Sequence, residues 1–222
     1  MKKIAFITAM QKEFNEIRKL YPFQETEQGL VAQSDNKTFW LAHSGIGKVS
    51  AAVVADRLCN QGIDLIVSVG VAGGIDPSLK QGDTVISNHV CYHDVWCGDP
   101  CVPGQIQNLP LYFEAPLSEK YETTDATIRK GLIVTGDQFV TDSAELHRIK
   151  KTFPDALAVD MESAAIAQVC YLNHKNFLSI RMISDVVGAN YQEEMYRHFW
   201  KTCPILLANK AKDITTTLFG NF

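Results

Sequence analysis

Short apolar runs alternate along this chain with stretches of helical period. Runs at 3–8, 39–42, 64–71, 83–90, 132–134, 156–159 and 177–183 read as buried strands. The run at 64–71 is nearly continuous, as in a central strand covered on both faces. Helical spacing falls between them, at 11–20 (Phe14, Ile17 and Leu20 on one face), 47–60, 143–151, 161–172 and 193–218. Strand and helix in alternation predict an α/β fold: a three-layer sandwich whose central twisted, mostly parallel mixed sheet is flanked by helices. Residues 96–124 hold Pro100, Pro103, Pro110 and Pro116 and follow no clean period, so a long loop or lid is expected there.

Three acids sit where the chain leaves apolar runs: Glu13 after the first, Glu162 after 156–159 and Asp185 after 177–183. In open α/β sheets ligands bind beyond the carboxyl ends of the strands. Crowding three carboxylates at one such edge is costly without a cation or a reacting partner, which points to chemistry rather than solubility.

Composition narrows the field. A length of 222 residues fits one domain spanning 1–222, and 46% hydrophobic residues can bury a core. With a formal charge of −4 and no block of like charges, nucleic acid and anionic membrane are not expected partners. The apolar run after Met1-Lys2-Lys3 stops at Gln11-Lys12-Glu13, too soon for a signal peptide. No stretch approaches the roughly 18 apolar residues of a membrane span. A cytoplasmic location is expected, with the six cysteines as reduced thiols. Cys97 and Cys101, with His93 nearby, match no zinc template, so neither a metal nor a cofactor is expected.

Each motif also has a plainer reading. Gly45-Ile46-Gly47-Lys48 lacks the third glycine of a dinucleotide fingerprint and the pattern of a P-loop; a tight strand-to-helix turn is favoured. The glycines of Val69-Gly70-Val71-Ala72-Gly73-Gly74 either end a strand or let backbone approach a ligand. Asp160-Met161-Glu162 opens a helix, where acids suit the dipole and Asp160 could be the N-cap. Ser184-Asp185 could be a turn pair, Glu13 a solvated helix-face acid and Phe139 a core aromatic.

Six segments in register outweigh those readings: Ala9-Met10-Gln11-Lys12-Glu13, Ser44-Gly45-Ile46-Gly47-Lys48-Val49, Val69 to Gly74, Gly131 to Asp137, Val159 to Ala165 and Arg181 to Val186. In order and spacing they resemble the 5′-methylthioadenosine/S-adenosylhomocysteine nucleosidase family of the purine nucleoside phosphorylase superfamily. The resemblance implies a nucleoside phosphorylase-like fold, a small-molecule nucleoside substrate and a homodimer whose partner residues close the 5′ end of the pocket. It implies hydrolysis of 5′-thio-substituted adenosines to adenine and a thioribose. Asp185 would be the general acid at adenine N7, Glu13 the base that activates water, and Glu162 the acceptor of the ribose hydroxyls. Phe139 would stack on adenine, and the backbone of Val140 would read the base edge. Met10 and Met161 would contact the ribose, Ile46 and Val71 would lie near the substrate, and Ser184 would orient Asp185.

Two departures matter. Val71 stands where some members have serine, and 95–104 does not match the usual stretch after Tyr92-His93-Asp94. That region would line the 5′ pocket, so the preference among methylthio, homocysteinyl, adenosine-like and aminodeoxyfutalosine groups stays open. Phosphorylases of the superfamily place an arginine near the 69–74 strand to hold phosphate; none occurs in that stretch or between Met10 and Glu13. Water is the favoured nucleophile. A phosphorylase and a nucleoside-binding sensor are the alternatives.

Overall fold

The computed structural model describes residues 2–34 and 36–220. Its strands are β1 (Lys2–Thr8), β2 (Gln24–Thr26), β3 (Gly29–Ser34), β4 (Lys37–His43), β5 (Leu65–Gly74), β6 (Thr84–Tyr92), β7 (Phe113–Glu114), β8 (Ile128–Thr135), β9 (Ala156–Asp160) and β10 (Asn176–Val186). Its α-helices are α1 (Gln11–Arg18), α2 (Lys48–Asn60), α3 (Ser143–Thr152), α4 (Ser163–Leu172), α5 (Gln192–Thr202) and α6 (Pro204–Phe219). All ten strands join one mixed sheet. The longest pairings, β5 with β10 and β6 with β8, are parallel, as are β1 with β4 and with β5. The α/β class and flanking helices expected from the sequence are present.

Pairing also runs from β5 to β10, β6, β8, β9 and back to β5, so these five strands close a ring. This closure, which alternation alone does not reveal, brings the ends of β9 and β10 against the end of β5. Ile66, Val67, Leu178, Ile180 and Ile86 are fully buried, as strands covered on both faces must be.

Local chemistry moves several predicted boundaries. The expected helix at 193–218 is two helices, because Pro204 cannot donate into a continuing turn and starts α6 instead. The helix expected from 161 begins at Ser163. Glu162 holds the N-cap position, but the Asp160 carboxylate, two positions earlier, accepts from Ser163 N at 3.2 Å. Gly47, at φ 95°, stands before α2 rather than in it. The β2–β3 hairpin is mostly exposed and its one apolar run, Leu30-Val31-Ala32, is short, so it has no clear signature in the pattern. Residues 96–124 are largely irregular, interrupted by β7 and one 3₁₀ turn at Pro116–Lys120.

Candidate active site

The three acids at strand ends converge on one cavity of about 380 Å³. Glu13 reaches it from the first turn of α1, where a carboxylate can turn back to the helix start. Its Oε2 accepts from Ala9 N (3.0 Å) and Met10 N (2.9 Å), and its Oε1 from Val71 N at 3.0 Å. Gly70 makes room for this: an added Cβ would stand 2.7 Å from Glu13 Oε1. The close approach allowed by the glycine-rich strand therefore serves, at Gly70, a carboxylate of the protein itself. Glu13 is buried, unlike the solvated helix acid that its position alone suggests.

Glu162 Oε1 accepts from Gly47 N at 3.0 Å, in the turn between β4 and α2. Gly45 and Gly47 both hold positive φ there, which makes the strand-to-helix turn the right reading of those glycines. Asp185 depends on an irregularity. β10 pairs with β5 as Ile183 with Ala72 and then Asp185 with Gly73, so Ser184 is an extra residue. Neighbours in a regular strand face opposite sides; this bulge lets Ser184 and Asp185 both line the cavity. Ser184 Oγ donates to Asp185 Oδ1 at 2.6 Å, and Gln192 Nε2 donates to Oδ2 at 2.7 Å.

Behind the acids stands Arg181, 2% exposed. Its Nε donates to Asp160 Oδ2 and an Nη to Ser68 Oγ, both at 2.8 Å. Asp160 also accepts from Thr135 Oγ1 at 2.6 Å and from the Ser163 hydroxyl. Asp160 is thus spent on structure, and Asp160 and Glu162 differ in role as their spacing suggests. A second small polar cavity of about 10 Å³, room for about one water, lies among Glu13, Glu162, Ser44, Ser68 and Arg181.

Burial pushes all three carboxyls up. For Glu13 the rise is opposed by the Arg181 charge and the three backbone N–H groups. For Glu162 burial and the Asp160 charge raise it to about 7, against Arg181 and Gly47 N–H. For Asp185 burial wins over the Ser184 and Gln192 hydrogen bonds, and no cation offsets it. One buried cation therefore acts on Glu13 and Glu162 and leaves Asp185 aside.

All ten residues singled out from the sequence line the large cavity: Glu13, Glu162, Asp185, Met10, Ile46, Val71, Phe139, Val140, Met161 and Ser184. Phe139 is half-exposed at the mouth rather than a core aromatic, and meets Tyr196 edge to face with ring centroids 5.4 Å apart. Sequence reasoning missed Tyr196, Gln138, Arg181 and Gln192. Tyr196 and Gln192 lie in a helix whose pattern is merely amphipathic, and Arg181 lies inside an apolar run that hides its charge. Within the chain no residue of 95–104 lines the cavity.

A family model described as the phosphorylase superfamily matches residues 3–219. The chain is 35% identical to the 5′-methylthioadenosine/S-adenosylhomocysteine nucleosidase of Marinomonas sp. (strain MWYL1), over 86% of this chain and 85% of that one. It superposes with TM-score 0.87 and 28% identity on S-adenosylhomocysteine nucleosidase from Streptococcus pyogenes in complex with 5-methylthiotubericidin, covering 100% of this chain and 97% of that one. Futalosine hydrolase of Helicobacter pylori is similar as well, with TM-score 0.86 and 25% identity over 96% of this chain and 97% of that one.

Glu162 gives the site a pH signature. Folded, it holds its proton up to about 7, against an ordinary 4.5, so unfolding releases a proton between those values. The stability it contributes is full below about 4.5 and is lost as pH rises through about 7, a difference on the order of 3 kcal/mol at most. In urea titrations of the unliganded protein, Glu162→Gln should lose less stability than the wild type between pH 5 and about 7.5. An identical decline in both would show that Glu162 is not the strained group.

Proposed function

The chain belongs to the 5′-methylthioadenosine/S-adenosylhomocysteine nucleosidase family, within the phosphorylase superfamily, and we propose that it hydrolyses the N-glycosidic bond of 5′-thio-substituted adenosines, releasing adenine and a 5-thioribose. The observation that carries this reading is the cavity itself: four buried carboxyls line it, Asp160 among them and paired with Arg181 behind the wall, and no lysine or arginine lines it. Phosphate as nucleophile would enter a site of its own sign. Arg181 is no clamp for it, since Asp160 and Ser68 already hold its guanidinium. Water fits a carboxylate base and the small polar cavity beside it.

In the proposed mechanism Asp185 gives its proton to the base at N7 as the glycosidic bond lengthens, so the base leaves neutral. The sugar gains oxocarbenium character, and Glu162 accepts its 2′- and 3′-hydroxyls. Water adds its oxygen to C1′ and passes a proton to Glu13. The two carboxyls need opposite protonation states at the start. Burial raises both carboxyls; Arg181 and three N–H groups favour the ionised form of Glu13, while only the Ser184 and Gln192 donors favour that of Asp185, with no cation. Phe139 offers its exposed ring to the base, with Met10, Met161, Ile46 and Val71 around the sugar.

The 5′ group is the open choice. The Tyr196 hydroxyl donates to Met10 Sδ at 3.6 Å and puts a polar atom beside an apolar wall. With the likeness to futalosine hydrolase, this favours a second reading: an adenine nucleoside with a polar 5′ group such as aminodeoxyfutalosine. Relative kcat/KM for that nucleoside and for 5′-methylthioadenosine decides between them.

The proposal includes a homodimer. Ile46, Val49 and Val53 put an exposed apolar stripe at the start and along α2, and Trp96 and Val102 add apolar surface from 95–104. Sedimentation should give a dimer that Val49→Asp with Val53→Asp dissociates; a monomeric wild type would contradict it.

Asp185→Asn and Glu13→Gln should each keep the fold by circular dichroism. Each should lower kcat for adenine release by about 10²–10⁴-fold, the usual worth of a positioned acid or base. Near wild-type turnover in either variant would remove that residue from the mechanism.

A further inference from the structure

Gln192, the first residue of α5, is 6% exposed and does not line the cavity. Its side-chain amide is nonetheless fully engaged. Nε2 donates to Asp185 Oδ2 at 2.7 Å and to the Val140 carbonyl at 2.9 Å, while Oε1 accepts from Gly188 N at 3.0 Å. A carboxamide has two N–H donors and one carbonyl. The reverse orientation would set its oxygen against a carboxylate and a carbonyl, and its NH₂ against an N–H. The orientation is therefore fixed by its partners.

We propose that Gln192 is a positioning residue for the reaction: one amide holds the Asp185 carboxyl and the Val140 backbone in a common frame and supports the carboxylate that forms when Asp185 releases its proton. The inference rests on the reading of Asp185 as the general acid. Asp185 and Val140 come from separate parts of the chain, the end of β10 and the loop after β8. Among the described side-chain hydrogen bonds Gln192 is the link between them; the other partner of Asp185 is its neighbour Ser184. Both groups line the cavity, and in the proposed reaction both meet the base, so their separation sets whether the proton and the base edge arrive together. A shift of about 1 Å in such a pair can cost about 10²-fold.

The hydrogen bonds also bear on the proton itself. Ser184 Oγ–H and Gln192 Nε2–H each donate to one carboxyl oxygen, which favours the ionised form, while burial opposes it. Each oxygen keeps a second lone pair for the transferable proton. As that proton leaves, the two donors strengthen. Removing the Gln192 donor makes Asp185 a weaker acid, with its pKa moved further up. A general acid works only while protonated, so the high-pH limb of activity must then move to higher pH even as the rate falls.

The test compares pH profiles of adenine release for wild type and Gln192→Met, which keeps length and apolar volume without the hydrogen bonds. Gln81→Met is the comparator. Gln81 Nε2 donates to Ser184 O and Met195 O, both at 2.7 Å, so it too ties β10 to α5 but leaves the Asp185 carboxyl untouched. For Gln192→Met, kcat should fall about tenfold or more, a share of what a positioned acid contributes, with a smaller change in KM. Its high-pH limb should rise by about one pH unit. Gln81→Met should lower the melting temperature and leave the limb in place. If Gln192→Met folds poorly, Gln192→Glu keeps the side-chain length and sets a carboxylate against Asp185, so the limb moves the same way. A limb at the wild-type pH in the Gln192 variants would overturn the proposal and leave Gln192 a packing residue. Failure of the underlying reading looks different: Asp185→Asn would retain the wild-type rate and limb.

Discussion

The buried pair of Arg181 and Asp160 is the interaction on which the site depends. Ionised groups taken out of water are costly, and breaking such a pair typically costs about 3–5 kcal/mol because the survivor is stranded. Here the pair is fully hydrogen-bonded. Arg181 also holds Ser68 on β5, and Asp160 also holds Thr135 on β8 and Ser163 at the start of α4. One ion pair thereby ties β5, β8, β9, β10 and α4 together behind the cavity. It also sets a positive charge behind Glu13 and Glu162, which would otherwise repel each other in a poorly hydrated space. Without that cation, both acids would be driven further toward their neutral forms.

Shape and charge then divide the labour between the acids. Gly70 leaves space for Glu13 to lie against β5, where the Val71 N–H meets it. The bulge at Ser184 turns Asp185 inward together with the hydroxyl that supports it. The Gly45–Gly47 turn presents an N–H to Glu162. Each device is a backbone feature, and each hands one carboxyl to the cavity in a distinct environment. Two acids share a cation and N–H donors; the third has burial and side-chain donors alone. Burial raises all three, so the asymmetry lies in what opposes it and not in the direction of the shift.

Much of this was legible in the residues. Alternating apolar runs and helical periods were enough for the α/β class, because strands buried on both faces must be apolar. Six spaced motifs held eight of the ten candidate residues, Phe139 and Val140 follow the fourth motif, and all ten line the cavity. What stayed hidden has physical causes. Arg181 sits inside an apolar strand, where periodicity sees only a flaw in the run. Asp160 and Glu162, two apart at a helix start, both look like dipole acids, and only the fold separates the paired one from the free one. Closure of five strands into a ring depends on register, which no single strand encodes. Tyr196 and Gln192 reach the site from α5, whose amphipathic pattern singles out neither. The hairpin of β2 and β3 carries too little apolar surface to announce itself.

The central claim is that this cavity brings water, and not phosphate, to the sugar. Adenine release from 5′-methylthioadenosine in phosphate-free buffer tests it most directly, with the sugar product identified before and after phosphate is added. The account predicts full turnover without phosphate, free methylthioribose as the product, and no acceleration when phosphate is supplied. Release that waits for phosphate and yields a sugar phosphate would contradict it.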